Sequence, residues 1–145
     1  MTPHFSLEEF TQSDTAARLG IDNRLPDELR ENALKTLEMM ERIRFHIDAP
    51  ISITSGYRCE ALNRAVGSKQ GSDHTMAFAV DFKAPKAGTP FQVAASLAPV
   101  IKIIGIGQLI LEFGTWVHVS TRIPDKIINR IITIDKDGTR AGIWQ

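Results

Sequence analysis

The chain has 145 residues, with hydrophobic side chains at 43% and charged ones at 23%, the balance of an ordinary globular protein. That length predicts one domain, residues 1–145, able to bury roughly 70% of its unfolded surface. Seventeen basic residues meet 17 acidic ones, so the basic excess of a dedicated nucleic-acid binder is missing. The longest nearly apolar run, Ile101 to Leu111, is interrupted by Lys102, Gln108 and two glycines, and falls well short of the ~20 residues of a membrane span. The first residues carry neither a basic nor an apolar leader region, so no secretory signal is expected. A single cysteine, Cys59, rules out an internal disulfide framework.

Ser6 and Glu9 have the spacing of a capping box and predict a short helix from Leu7. Ser13-Asp-Thr begins a second short helix that stops at Gly20. Pro26 and Asp27 open a long helix whose stripe is Leu29, Ala33, Leu37, Met40, Ile43 and Ile47, with Pro50 beyond its end. Pro50–Ser55 alternates apolar and polar residues and reads as a half-buried strand. Glu60 to Val66 predicts a turn or two of helix, followed by loop. Ala77 to Phe82 reads as a buried strand, and Phe91 to Ile101 as a helix. Strands are predicted at Gly107–Phe113, Trp116–Thr121 and Arg130–Asp135, with Gly114 tightening the first hairpin. Asp135-Lys-Asp-Gly138 then turns into a last strand ending near Trp144. Helices first and antiparallel-looking strands last predict an α+β fold.

Of four histidines, two fall in Ser72-Asp-His-Thr-Met-Ala-Phe-Ala-Val-Asp81 and Trp116-Val-His-Val-Ser120. His74, Asp81 and His118 together are a sufficient protein donor set for a catalytic zinc with one position left open. Seven residues separate His74 from Asp81. An uninterrupted strand would place them on opposite faces, so the chain must turn or bulge between them. Periodicity alone does not bring His118 to the other two.

These stretches resemble the Ser-x-His-x-x-Gly-x-Ala-x-Asp and Trp-x-His motifs of the zinc D-Ala-D-Ala metallopeptidases, whose fold is shared with the hedgehog signalling domain. Ser72, His74, Ala79 and Asp81 match the first motif and Trp116 and His118 the second. Upstream, Ser55-Gly-Tyr-Arg58 with Leu62-Asn63 is similar to the family's Ser-Gly-Tyr-Arg…Asn element. Phe5-Ser-Leu-Glu-Glu-Phe10, Gly20-Ile-Asp-Asn23 and the closing Asp-Gly-Thr-Arg-Ala-Gly-Ile-Trp144 resemble the phage and prophage branch of small cell-wall peptidases. There are two departures. Ala77 replaces the motif's glycine, and Thr115 stands where several members have an acid three residues before the last histidine. Glu112, six residues before His118, is the nearest carboxylate and matches a glutamate of the hedgehog domain at that offset.

The resemblance implies zinc held by His74, Asp81 and His118, with Glu112 as the base. Arg58 then stabilises an oxyanion or holds a substrate carboxylate. Tyr57, Ser72 and Trp116 are candidate substrate contacts, each with a plainer reading: Tyr57 packed under Arg58, Ser72 capping its loop, Trp116 as pocket wall. Asp73 is expected to face solvent, Cys59 to be a small buried residue, and His4 and His46 to lie on the surface. The implied substrates are peptidoglycan stem peptides, cut as a D-Ala-D-Ala carboxypeptidase or an L-Ala-D-Glu endopeptidase. The phage-like flanks imply an endolysin made in the cytoplasm and released to the wall by a holin-type route. Thr115 leaves open another class, a non-catalytic zinc module that binds cell wall or a phage structural partner.

Overall fold

A computed structural model describes residues 2–122 and 129–145. Helices α1 (Leu7–Thr11), α2 (Asp14–Leu19) and α3 (Arg30–Ile47) come first, then β1 (Ser52–Ser55) and α4 (Glu60–Ala65). A 3-10 turn, Asp73–Met76, leads into β2 (Ala79–Lys83), followed by α5 (Pro90–Leu97) and α6 (Ile101–Ile104). Strands β3 (Gln108–Glu112), β4 (Trp116–Ser120), β5 (Arg130–Asp135) and β6 (Gly138–Ala141) finish the chain. The class is α+β, as predicted. No helix among the described residues is long and apolar enough to cross a membrane.

The long apolar stripe forms as expected: Ala33, Leu37, Met40 and Ile43 of α3 are fully buried against the sheet, with Phe82, Leu109, Leu111 and Val119 in the same core. Helix α3 ends earlier than Pro50 demands, because Asp48 takes a left-handed conformation with φ 51°. The helix expected over residues 91–101 is broken. It runs Pro90–Leu97, tightens into a 3-10 turn at Ala98–Val100, and resumes as α6. Pro99 is the cause, since it has no amide hydrogen to continue the ladder. A complete capping box between Thr89 and Gln92 starts α5. At α1 only the Ser6 half of the predicted box is recorded, with Ser6 Oγ accepting from the Glu9 amide at 3.1 Å.

The six strands are ordered β1-β2-β4-β3-β5-β6. All neighbours are antiparallel except β3 and β5, which are parallel, so the sheet is mixed. Connectivity explains the exception. Strand β4 ends beside the start of β3, and β5 sets out from that same end of the sheet in β3's own direction. Gly107 ties both neighbours to that end of β3: its amide donates to Ser120 O, and its carbonyl accepts from the Arg130 amide. A Cβ there would lie 2.5 Å from Arg122 O. The β3–β4 hairpin closes through Phe113 (φ 53°) and Gly114 (φ 62°), the two left-handed residues of a type I′ turn. Strand β6 stops at Ala141, and Trp144 folds back to donate its indole N–H to Ala141 O at 2.6 Å.

Candidate metal centre

Sheet register builds one wall of the site. Asp81 and His118 are direct partners across β2 and β4, and Glu112 is the partner of Trp116 across β3 and β4. Cross-strand partners share a face, and so do residues two apart on one strand. Asp81, Glu112, Trp116 and His118 therefore project from the same side. Thr115 is an exposed residue of the hairpin turn, with its hydroxyl donating to Phe113 O.

His74 arrives by the turn that its spacing from Asp81 required. It sits in the 3-10 turn, whose first amides are capped by Ser72 Oγ accepting from His74 N at 3.2 Å. The turn closes on Ala77 in the left-handed conformation, φ 62°. This is the position where the family motif has glycine, and it explains that preference. The left-handed alanine costs about 1–2 kcal/mol. Its fully buried methyl returns about 0.8 kcal/mol, which offsets part of that cost.

Donor atoms of His74, Asp81 and His118 all lie within 4.8 Å of one another, and the three residues are buried. His74 Nε2 is 3.4 Å from Asp81 Oδ1, and His118 Nδ1 is 2.8 Å from the same oxygen. A tetrahedral zinc with bonds of about 2.0–2.1 Å spaces its donors about 3.3 Å apart, so the cluster has the right dimensions. Tautomers agree. His74 Nδ1 lies 2.7 Å from Gly56 O, which can only accept, so Nδ1 carries the hydrogen and Nε2 presents its lone pair to the site.

Burial pushes the Asp81 carboxyl upward, but His74 and His118 outweigh it and hold the group well below the usual carboxylate range. Burial lowers the His74 imidazole despite Asp81. For His118, burial works downward and loses to the hydrogen bond and charge of Asp81, so its affinity for a proton is raised. Glu112 lies 3.7 Å from His118 Nδ1. Its carboxyl is pushed up, first by burial and then by the Asp81 charge, against the pull of His118 and Arg58.

Arg58 is fixed at three points: Nε donates to Ser55 Oγ at 3.0 Å, one terminal nitrogen to Asp81 Oδ2 at 3.3 Å, and the other approaches Asn63 Oδ1 at 3.5 Å. Its backbone is bracketed by Asn23, which donates to Tyr57 O at 2.9 Å and accepts from the Cys59 amide at 2.8 Å. Sequence reasoning noted Asn23 only as part of a familiar segment. Its role is a long-range contact that no local pattern signals.

A cavity of about 500 Å³ opens over these groups, lined by Arg58, Ser72, Glu112 and Trp116 together with the three clustered residues. The Trp116 indole nitrogen is buried and has no hydrogen-bond partner among the described residues. Tyr57 is 6% exposed in the core and does not line the cavity. A larger groove, about 640 Å³ between α1, α2 and residues 21–30, contains no histidine or cysteine, so size alone does not identify the chemical site. Asp73 departs from expectation. It turns inward to accept from Ser120 Oγ at 2.9 Å and pairs with Arg122 at 3.3 Å. His4 and His46 are exposed, as expected, and His4 pairs with Glu41. Cys59 is free and half-buried.

The family whose model matches this chain is described as Peptidase M15, over residues 3–120. The chain belongs to the Peptidase M15 family. These are zinc D-Ala-D-Ala peptidases, so the chain carries a metallopeptidase fold, and its His-Asp-His cluster is a possible metal site within the matched span. No curated protein matches the chain.

Proposed function

We propose that this M15 chain is a zinc-dependent peptidase of the bacterial cell wall, hydrolysing stem-peptide bonds next to D-amino acids. One observation carries the catalytic part of the reading: Glu112, with its raised proton affinity, shares a face and a cavity with the three-donor cluster. His74 Nε2, His118 Nδ1 and Asp81 Oδ1 would hold the ion. Zinc, when bound, supplies Lewis acidity that polarises a peptide carbonyl and brings the pKa of water to about 7.

Glu112 takes the proton of the attacking water and returns it to the leaving amine, a role favoured by a carboxyl whose pKa is shifted toward neutrality. Arg58, pre-aimed by Ser55 and Asn63, holds the developing oxyanion or a substrate carboxylate with its planar fork. Trp116 and Ser72 border the space where a peptide would lie. Thr115 argued for a non-catalytic module. Its place in the exposed turn weakens that argument, because the neighbouring strand end supplies a carboxylate instead. The phage-like flanks favour an endolysin that reaches the wall through a holin-type route.

Purified chain is incubated with peptidoglycan, with and without a chelator, and the fragments are identified by mass spectrometry. New chelator-sensitive ends are expected, and their position distinguishes D-Ala-D-Ala from L-Ala-D-Glu cleavage. No new amine or carboxyl ends under zinc-replete conditions would sink the enzymatic reading. Glu112→Gln should keep zinc while hydrolysis falls by roughly two to four orders of magnitude. Unchanged turnover would move the base elsewhere.

A further inference from the structure

Asp73 precedes His74, and Ser120 follows His118 by two residues on the same face of β4. The Asp73–Ser120 hydrogen bond of 2.9 Å therefore runs alongside the approach of the two imidazoles, whose ring centroids are 5.2 Å apart. The capping of the 3-10 turn is already done by Ser72 Oγ. The Asp73 carboxylate is thus free to leave the turn and reach across to another element.

Each partner in this contact is oriented. Ser120 is fully buried, and its Oγ accepts from the Arg122 amide at 3.1 Å, which directs its own hydrogen to Asp73 Oδ2. Asp73 Oδ1 receives the Arg122 guanidinium at 3.3 Å, and the Asp73 carbonyl accepts from the Phe78 amide at 3.0 Å. The carboxylate is fixed at both oxygens and its backbone is fixed as well. Gly56 O sets the rotation of the His74 ring, but nothing in that contact sets the distance from the turn to β4.

We propose that Asp73 is a positioning residue for the metal centre: its bridge to Ser120 and Arg122 holds the His74-bearing turn at ligating distance from the His118-bearing strand. The inference rests on the zinc reading of the site. Groups that orient metal ligands without touching the ion commonly change affinity 10–100-fold when removed. A donor set this small depends on placement to a fraction of an ångström.

The test is zinc affinity of the full chain, measured by competition with a chromophoric chelator, with thermal unfolding of the metal-free protein recorded in parallel. Asp73→Ala is expected to weaken zinc binding 10–100-fold. Asp73→Asn, which still accepts from Ser120, should restore most of it. Ser120→Ala, which keeps both imidazoles and Asp81, should weaken binding in the same direction, and it carries the test if Asp73→Ala does not fold. A purely structural Asp73 would lower the unfolding temperature and leave affinity alone. Affinities within twofold of the unsubstituted chain in the folded Asp73 and Ser120 variants overturn the inference while leaving the zinc reading intact. Failure of the unsubstituted chain to bind zinc overturns both.

Discussion

Glu112, the proposed base, is costly to the fold. Its folded-state pKa is raised, so the folded protein binds more protons than the unfolded chain between the ordinary glutamate value and the raised one. Stability therefore falls as pH rises through that window, and at neutral pH the ionised side chain is a net burden. In the metal-free protein, Glu112→Gln should raise the unfolding temperature at pH 7 and lose that advantage at a pH below the ordinary glutamate range. Differential scanning calorimetry at the two pH values checks the sign. A variant less stable than its parent at pH 7 would contradict the assignment. The sequence offered Glu112 by offset alone; the face it occupies follows from β3–β4 register. Asp73 was illegible for the opposite reason, since its partners lie 47 and 49 positions away and a charged residue in a polar loop looks solvent-facing.

Among the elements, the contact of β1's end with α1 is the least forgiving. A Cβ on Gly56 would sit 2.2 Å from Phe10 O, the same carbonyl that accepts from the Tyr57 amide at 2.9 Å. Gly56 is needed for this close approach, and its own carbonyl holds His74 Nδ1 at 2.7 Å. Gly56→Ala must push backbone against backbone, and a loss of about 1–3 kcal/mol is expected from denaturant midpoints. An unchanged midpoint would show that the helix yields without cost. Elements whose signals are local were readable in advance: the α3 stripe, the Gly114 hairpin, and the turn that the seven-residue interval demanded. Misreadings came from competing signals. Pro99 inside an apolar run was absorbed into one helix.

At the scale of the whole molecule, the core of α3, α5 and the sheet is built without any metal contact, so the metal-free chain is expected to fold. Zinc then adds stability only through its preference for the folded state, about 2.7 kcal/mol at a free concentration one hundred times the dissociation constant. For a protein of this size that corresponds to a rise of roughly 5–11 °C in the unfolding midpoint. Calorimetry with and without chelator measures it, and coincident midpoints would show that the cluster is not a metal site. Fold class was legible from element order, and the donor set from residue types in family-like motifs. The assembly of that set was not, because it is a property of long-range pairing.

The opposition of Asp81 and His118 across β2 and β4 has a kinetic meaning. These residues are 37 positions apart, so their shared face exists only once the centre of the sheet has zipped in register. A slip of one residue would turn either side chain to the far face. On the zinc reading, the ion would not seed the chain. It would enter last, and its capture would report that strand pairing is already finished.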